Sequence, residues 1–257
     1  MGTAVKKSYE PMLNIPPVVT KLLALLAGIH AIRWLFLTPQ RDIDFLLLFA
    51  FIPARYGSDP AVQEILPGGI AADAWTFVTY ALVHGDIVHL TINAIWLLAF
   101  GSAVARRFGS SRFLAFFAVT AIAGALAHLV THDTEFVPMV GASAAISGYM
   151  AAATRFVFQE GGPLGLLRAQ DSQRYRVRAI PLLAALTDSR ILAFLAAWFA
   201  LNILLGLGSL SLGSEREVAW QAHIGGFLAG LILFAWFDPV TAAGSDDSGS
   251  PPGRAVE

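Results

Sequence analysis

Cysteine is absent from the 257 residues, which excludes disulfides, thiolate metal sites and thiol catalysis and leaves the redox compartment unread. Charge is scarce as well. Asp, Glu, Lys and Arg together make up 14% of the chain, against ~25% in soluble domains, too few to cover the surface of a water-soluble globule of this length. Lysine occurs three times and the formal net charge is −1, so the basic footprint that DNA or RNA binding requires is missing, and nucleic acid is not an expected partner. What the chain has in excess is apolar: 56% hydrophobic before glycine is counted, where soluble domains reach ~45–50% with glycine included. That composition points to lipid.

A hydrocarbon core of ~30 Å takes about 20 apolar residues as a helix. Six such windows occur, at about Val18–Leu37, Leu82–Val104, Phe113–Val130, Val137–Val157, Ile191–Leu207 and Val218–Phe237, which predicts an all-α, polytopic membrane bundle of six spans over residues 18–237. Lys21, His30 and Arg33 fall inside the first window, and a tilted or snorkelling helix would accommodate them. Phe45–Pro53 is apolar but short, so Pro39–Tyr80 reads as a long loop at the membrane interface. Cations gather on alternate connections: Lys6, Lys7 and Lys21; Arg106, Arg107 and Arg112; Arg168, Arg174, Arg176, Arg178 and Arg190. The positive-inside rule then places both termini in the cytoplasm. The first apolar stretch lacks a small-x-small cleavage site and is expected to stay. Residues 238–257 read as a disordered tail, since Thr241–Glu257 is rich in Gly, Ser, Pro and Asp with little to bury. No repeat of 20–50 residues is visible.

Polar side chains inside these windows stand out, because they are costly in lipid and usually face the bundle interior. They are His84, His89 and Asn93 in the second window, His128 near the end of the third, Ser143 and Ser147 in the fourth, Asn202 in the fifth and His223 in the sixth. His89 and Asn93 are four residues apart and share a helix face. A hydrogen-bonded seam between helices would explain them equally well. Ser143 follows Gly141-Ala142, where an acidic, cation-free connection with Pro138 turns into a helix. At a helix N-terminus the first N–H groups lack intrahelical acceptors and could stabilise an oxyanion; the plainer alternative is a serine N-cap. Ala222, Gly226 and Gly230 form a small-residue stripe, and His223 lies beside it, carried toward a neighbouring helix.

A serine nucleophile needs a base within hydrogen-bond reach and donors for the oxyanion. His223 can take the proton of Ser143 and return it to the leaving amine, while the Ser143 amide, His89 and Asn93 can face the oxyanion. From Leu90 onward no window contains Asp or Glu, and Asp86 stands at the mouth of the second. The reading is a Ser–His dyad with His223 oriented by packing. A zinc site from the histidines is not favoured, because His84 and His89 are five apart and no carboxylate or cysteine completes the set. No cofactor is expected.

Taken together, these residues resemble the rhomboid family of intramembrane serine proteases. The resemblance spans about residues 45–237 and rests on His84, His89 and Asn93, on Gly141-Ala142-Ser143, on Ala222-His223 with Gly226 and Gly230, and on Phe51-Ile52-Pro53-Ala54-Arg55-Tyr56. It implies a six-helix bundle in a bacterial cytoplasmic membrane that cleaves transmembrane segments of other proteins from a cavity open to the non-cytoplasmic side. In that frame Ser143 is the nucleophile, His223 the base, His89 and Asn93 the oxyanion-side groups, and His84 structural. Two departures accompany it. Ala144 stands where the family usually has Gly, and its methyl could crowd the active-site turn or the sixth helix. Thr76 follows Trp75 where Arg is frequent, which alters loop anchoring. A non-catalytic relative that binds transmembrane helices, and a transporter with symmetric broken helices, are the competing readings.

Overall fold

A computed structural model describes residues 15–159, 162–163, 172–206 and 219–240. Residues 1–14 and the tail from 241 onward, where disorder is expected, lie outside the described residues, as do Leu207 and Val218 at the ends of the fifth and sixth windows.

The described chain is helical, with α1 (Pro17–Phe36), α2 (Pro39–Phe49), α3 (Pro60–Ile65), α4 (Gly69–Thr79), α5 (Ile87–Trp96), α6 (Ser102–Phe108), α7 (Ser110–Thr131), α8 (Ser143–Thr154), α9 (Leu182–Ala185), α10 (Ser189–Gly206) and α11 (Trp220–Phe237). A π turn at Leu97–Gly101 joins α5 to α6. Among the described residues, four helices are long and apolar enough to cross a membrane: Pro17–Phe36, Ile87–Phe108, Ser110–Thr131 and Trp220–Phe237. Their outward faces keep large apolar side chains exposed, Trp34, Val130, Ile232 and Trp236 among them. Without a hydrophobic drive between helices in lipid, such faces suit acyl chains.

Two expectations are corrected. Val137–Val157 is not one long span: the helix runs only from Ser143 to Thr154, 12 residues, or about 18 Å at 1.5 Å per residue. At most one of its ends can therefore reach a membrane surface. The preceding stretch is extended, with Met139 exchanging both backbone hydrogen bonds with Phe51 (2.8 and 3.1 Å). The second correction concerns Pro39–Tyr80, which is not irregular but built from α2, α3, α4 and two 3₁₀ turns. Its start signals are ordinary ones. Thr38 caps α2 by accepting from the Arg41 amide, Asp59 caps α3 by accepting from the Ala61 amide, and each is followed by a proline at the first helical position.

The core is a three-helix packing of α7, α8 and α11, in which backbones meet because side chains are missing. A methyl group on Gly226 would stand 2.0 Å from the Ala144 carbonyl oxygen, and one on Gly230 would stand 2.5 Å from that of Gly148. The small-residue stripe of α11 thus lies directly on the backbone of α8, as its spacing predicts. Gly124 does the same for α7, where a methyl would meet the Ala144 Cβ at 2.5 Å and the Ala222 carbonyl at 2.8 Å.

Two buried arginines tie together segments outside this three-helix core. Arg33 does not snorkel: it is buried, its Nε and Nη2 donate to Asp42 at 2.7 and 3.0 Å, and its Nη1 donates to the His84 carbonyl at 2.7 Å. The cation is accommodated by a counter-charge and a carbonyl rather than by water. Arg107 mirrors this near the other end of the chain, with a bidentate pair to Asp238 at 2.8 Å and donations to the Tyr175 and Val177 carbonyls.

Candidate active site

The structure brings Ser143 and His223 together from α8 and α11, 80 residues apart in sequence, with Ser143 Oγ 2.7 Å from His223 Nε2. Ser143 does not cap its helix. The N-cap is Ala142 and no side chain caps the helix there, so the hydroxyl is left for the imidazole. Both residues are half-buried.

The turn that presents Ser143 depends on Gly141. Its φ is +123°, a region that L side chains rarely adopt. Its amide donates to the Tyr80 carbonyl at 3.0 Å, and the Tyr80 hydroxyl in turn donates to the Ala121 carbonyl at 2.8 Å. A methyl on Gly141 would lie 2.7 Å from His89 Nε2 and 3.7 Å from Ser143 Oγ. The His89 ring, the Gly141 backbone and the serine hydroxyl therefore border one small space.

His89 is set there by the start of α5. Asp86 caps the helix by accepting from the His89 amide at 2.8 Å, so this carboxylate is occupied at the helix end rather than at His223. Asn93 is buried, and its amide donates to the His89 carbonyl at 2.9 Å. His84 is fully buried with its ring 5.2 Å from that of His89, edge to face. Ser147 sits one turn further along α8 and donates to the Ser143 carbonyl at 2.8 Å.

Ala144 crowds neither the turn nor α11. Its methyl sits against Gly124 of α7, where there is no Cβ, while α11 approaches its carbonyl through Gly226. Gly124 is thus a site-supporting residue that sequence reasoning missed. The anchoring expected to change at Thr76 is taken up elsewhere. Arg55, almost wholly buried, donates to the Leu47 carbonyl at 2.5 Å and the Pro67 carbonyl at 3.1 Å beside Asp73, while Thr76 bonds the Tyr56 hydroxyl and Trp75 Nε1 donates to the Leu48 carbonyl.

His223 is not oriented by packing alone. Its Nδ1 is hydrogen-bonded to Asn202 Oδ1 of α10. Among the described residues one group gathers metal-type donors, His128, His132 and Glu135, whose ligand atoms lie within 4.8 Å of one another. The two rings stack at 4.5 Å and 20°. Their in-plane lone pairs therefore lie in nearly parallel planes and do not meet at a common point, which is poor geometry for an ion.

Comparison with known proteins agrees with this architecture. The family model for the rhomboid domain matches residues 71–238. The rhomboid-family protein YdcA of Bacillus subtilis is 30% identical over 143 residues, 55% of this chain and 63% of that protein. The rhomboid protease GlpG of Enterobacter sp. is 27% identical over 228 residues, 84% of this chain and 71% of that protein. The rhomboid protease GluP of Bacillus subtilis is 37% identical over 78 residues, but these are 15% of its length and 30% of this chain. The family match covers well over half of the chain and contains the Gly141–Ser143 turn, His223 and the glycine stripe. The chain belongs to the rhomboid family of multi-pass helical membrane proteins.

Proposed function

We propose that this chain is an intramembrane serine endopeptidase that cleaves transmembrane segments of other membrane proteins, with Ser143 as nucleophile and His223 as general base. The observation that carries this reading is the 2.7 Å approach of His223 Nε2 to Ser143 Oγ at the half-buried start of a short helix.

The steps follow from the geometry. His223 Nε2 accepts the hydroxyl proton as Oγ attacks the scissile carbonyl. The oxyanion forms beside the first N–H groups of α8, which have no intrahelical acceptor, and next to His89. Asn93 supports this side by holding the His89 backbone, and one of its two amide protons remains for the oxyanion. The imidazolium then gives its proton to the leaving amine, and a water activated by the same nitrogen hydrolyses the acyl-enzyme. At 12 residues α8 is too short to reach both membrane surfaces, which supports a Ser143 set below one of them, where a membrane-embedded peptide can reach it.

The test is labelling of the solubilised full chain with a serine-directed fluorophosphonate. Wild type should label, and Ser143→Ala and His223→Ala should each lower labelling by on the order of 10⁴ or more with the fold intact. A folded wild type that does not label would favour a non-catalytic binder of transmembrane helices. Both termini are proposed to face the cytoplasm, because cations gather on the alternate connections.

A further inference from the structure

We propose that Asn202 is a positioning residue that completes a Ser143–His223–Asn202 relay by holding the neutral imidazole in the tautomer whose Nε2 lone pair faces the serine. The proposal rests on the protease reading above.

The proton positions follow by elimination along one chain of partners. The Trp198 carbonyl can only accept, and Asn202 Nδ2 donates to it at 2.8 Å. That fixes which end of the Asn202 amide is which, and leaves Oδ1, also an acceptor, facing His223 Nδ1. Nδ1 must therefore carry the proton, and Nε2 is left with the lone pair that receives the Ser143 hydroxyl proton. Reversing the amide would set its oxygen against the Trp198 carbonyl, two acceptors with no proton between them.

The register of α10 on α11 supports the same contact. Trp198 stacks on Phe227 at 4.7 Å, and Asn202 meets His223 one turn away. The two rungs are each four residues apart on both helices, in opposite directions, as antiparallel neighbours require. Asn202 is buried, whereas Leu201, Ile203 and Leu204 beside it are exposed. It is the polar residue that α10 turns inward, and it has a use there. A neutral amide orients the base without the cost of burying a carboxylate in a low-dielectric bundle.

The experiment compares wild type with Asn202→Leu, which keeps the branching at the γ carbon and removes the acceptor, and Asn202→Asp, which keeps an acceptor. Fluorophosphonate labelling rate and the ¹⁵N-histidine spectrum of His223 are read for each, in full-length protein shown to be folded. Wild type should show the Nδ1–H tautomer. In Asn202→Leu that signature should be lost and labelling should slow by roughly 10² or more, and Asn202→Asp should restore most of both. Unchanged tautomer and labelling in Asn202→Leu would overturn the proposal while leaving the protease reading standing. Equal loss in Asn202→Leu and Asn202→Asp would overturn it too, since a shared defect marks a packing role. A wild type with the Nδ1–H tautomer that fails to label would sink the protease reading and keep the orienting contact.

Discussion

At the scale of single residues, the site is built from what several positions do not carry. Gly226→Ala should be among the most damaging small changes, because the new methyl would need to occupy space 2.0 Å from the Ala144 carbonyl oxygen, on backbone that cannot swing aside. Thermal unfolding should fall and fluorophosphonate labelling should vanish together. Gly124→Ala should destabilise by about 1–3 kcal/mol through overpacking. Adding Ala144→Gly should recover part of that loss, since it removes the Cβ at 2.5 Å but leaves the Ala222 carbonyl at 2.8 Å. A double-mutant cycle on unfolding temperature measures this coupling. Ser143, His223 and the glycine stripe were legible in the sequence because polar and small residues are conspicuous against an apolar background. Gly124 was not, since a lone glycine in an apolar helix says nothing of which neighbour lies over it.

At the scale of elements, the sequence shows where an apolar run is but not the conformation it takes. Val137–Val157 is continuously apolar enough to pass for a span, yet its residues before Ser143 are not helical and Met139 is tethered to Phe51. Hydropathy does not separate extended from helical backbone. The helices between Pro39 and Tyr80 were legible in principle, through Thr38-Pro39 and Asp59-Pro60. The hydrogen bonds between elements were not: Arg33 with Asp42 and Asn202 with His223 join different helices, and no periodicity reports such pairs. Of the two arginine clamps, Arg107–Asp238 is the more enclosed, with side chains 0% and 8% exposed. Asp238→Ala should therefore cost about 3–5 kcal/mol, because it strands a buried guanidinium. Asp42→Ala should cost less, since its carboxylate is 32% exposed. Chemical denaturation in detergent would rank the two.

At the scale of the whole molecule, the absence of cysteine makes the transmembrane arrangement directly measurable. A single cysteine placed at Ser111 or Asp133, both exposed, can be probed with a membrane-impermeant maleimide in intact cells. Asp133→Cys should react from outside and Ser111→Cys only after permeabilisation; the reverse pattern would invert the proposed topology. The Arg33 clamp bears on a different matter. The family match begins at residue 71, but the guanidinium that grips the His84 carbonyl, the Asp42 carboxylate that steadies it and the Arg55 anchor of the first connection all precede it. The matched segment is thus hydrogen-bonded to chain that lies outside it. A chimera made by grafting residues 71–238 onto another membrane protein would inherit Ser143 and His223 and leave behind the arginines that brace the chain before them.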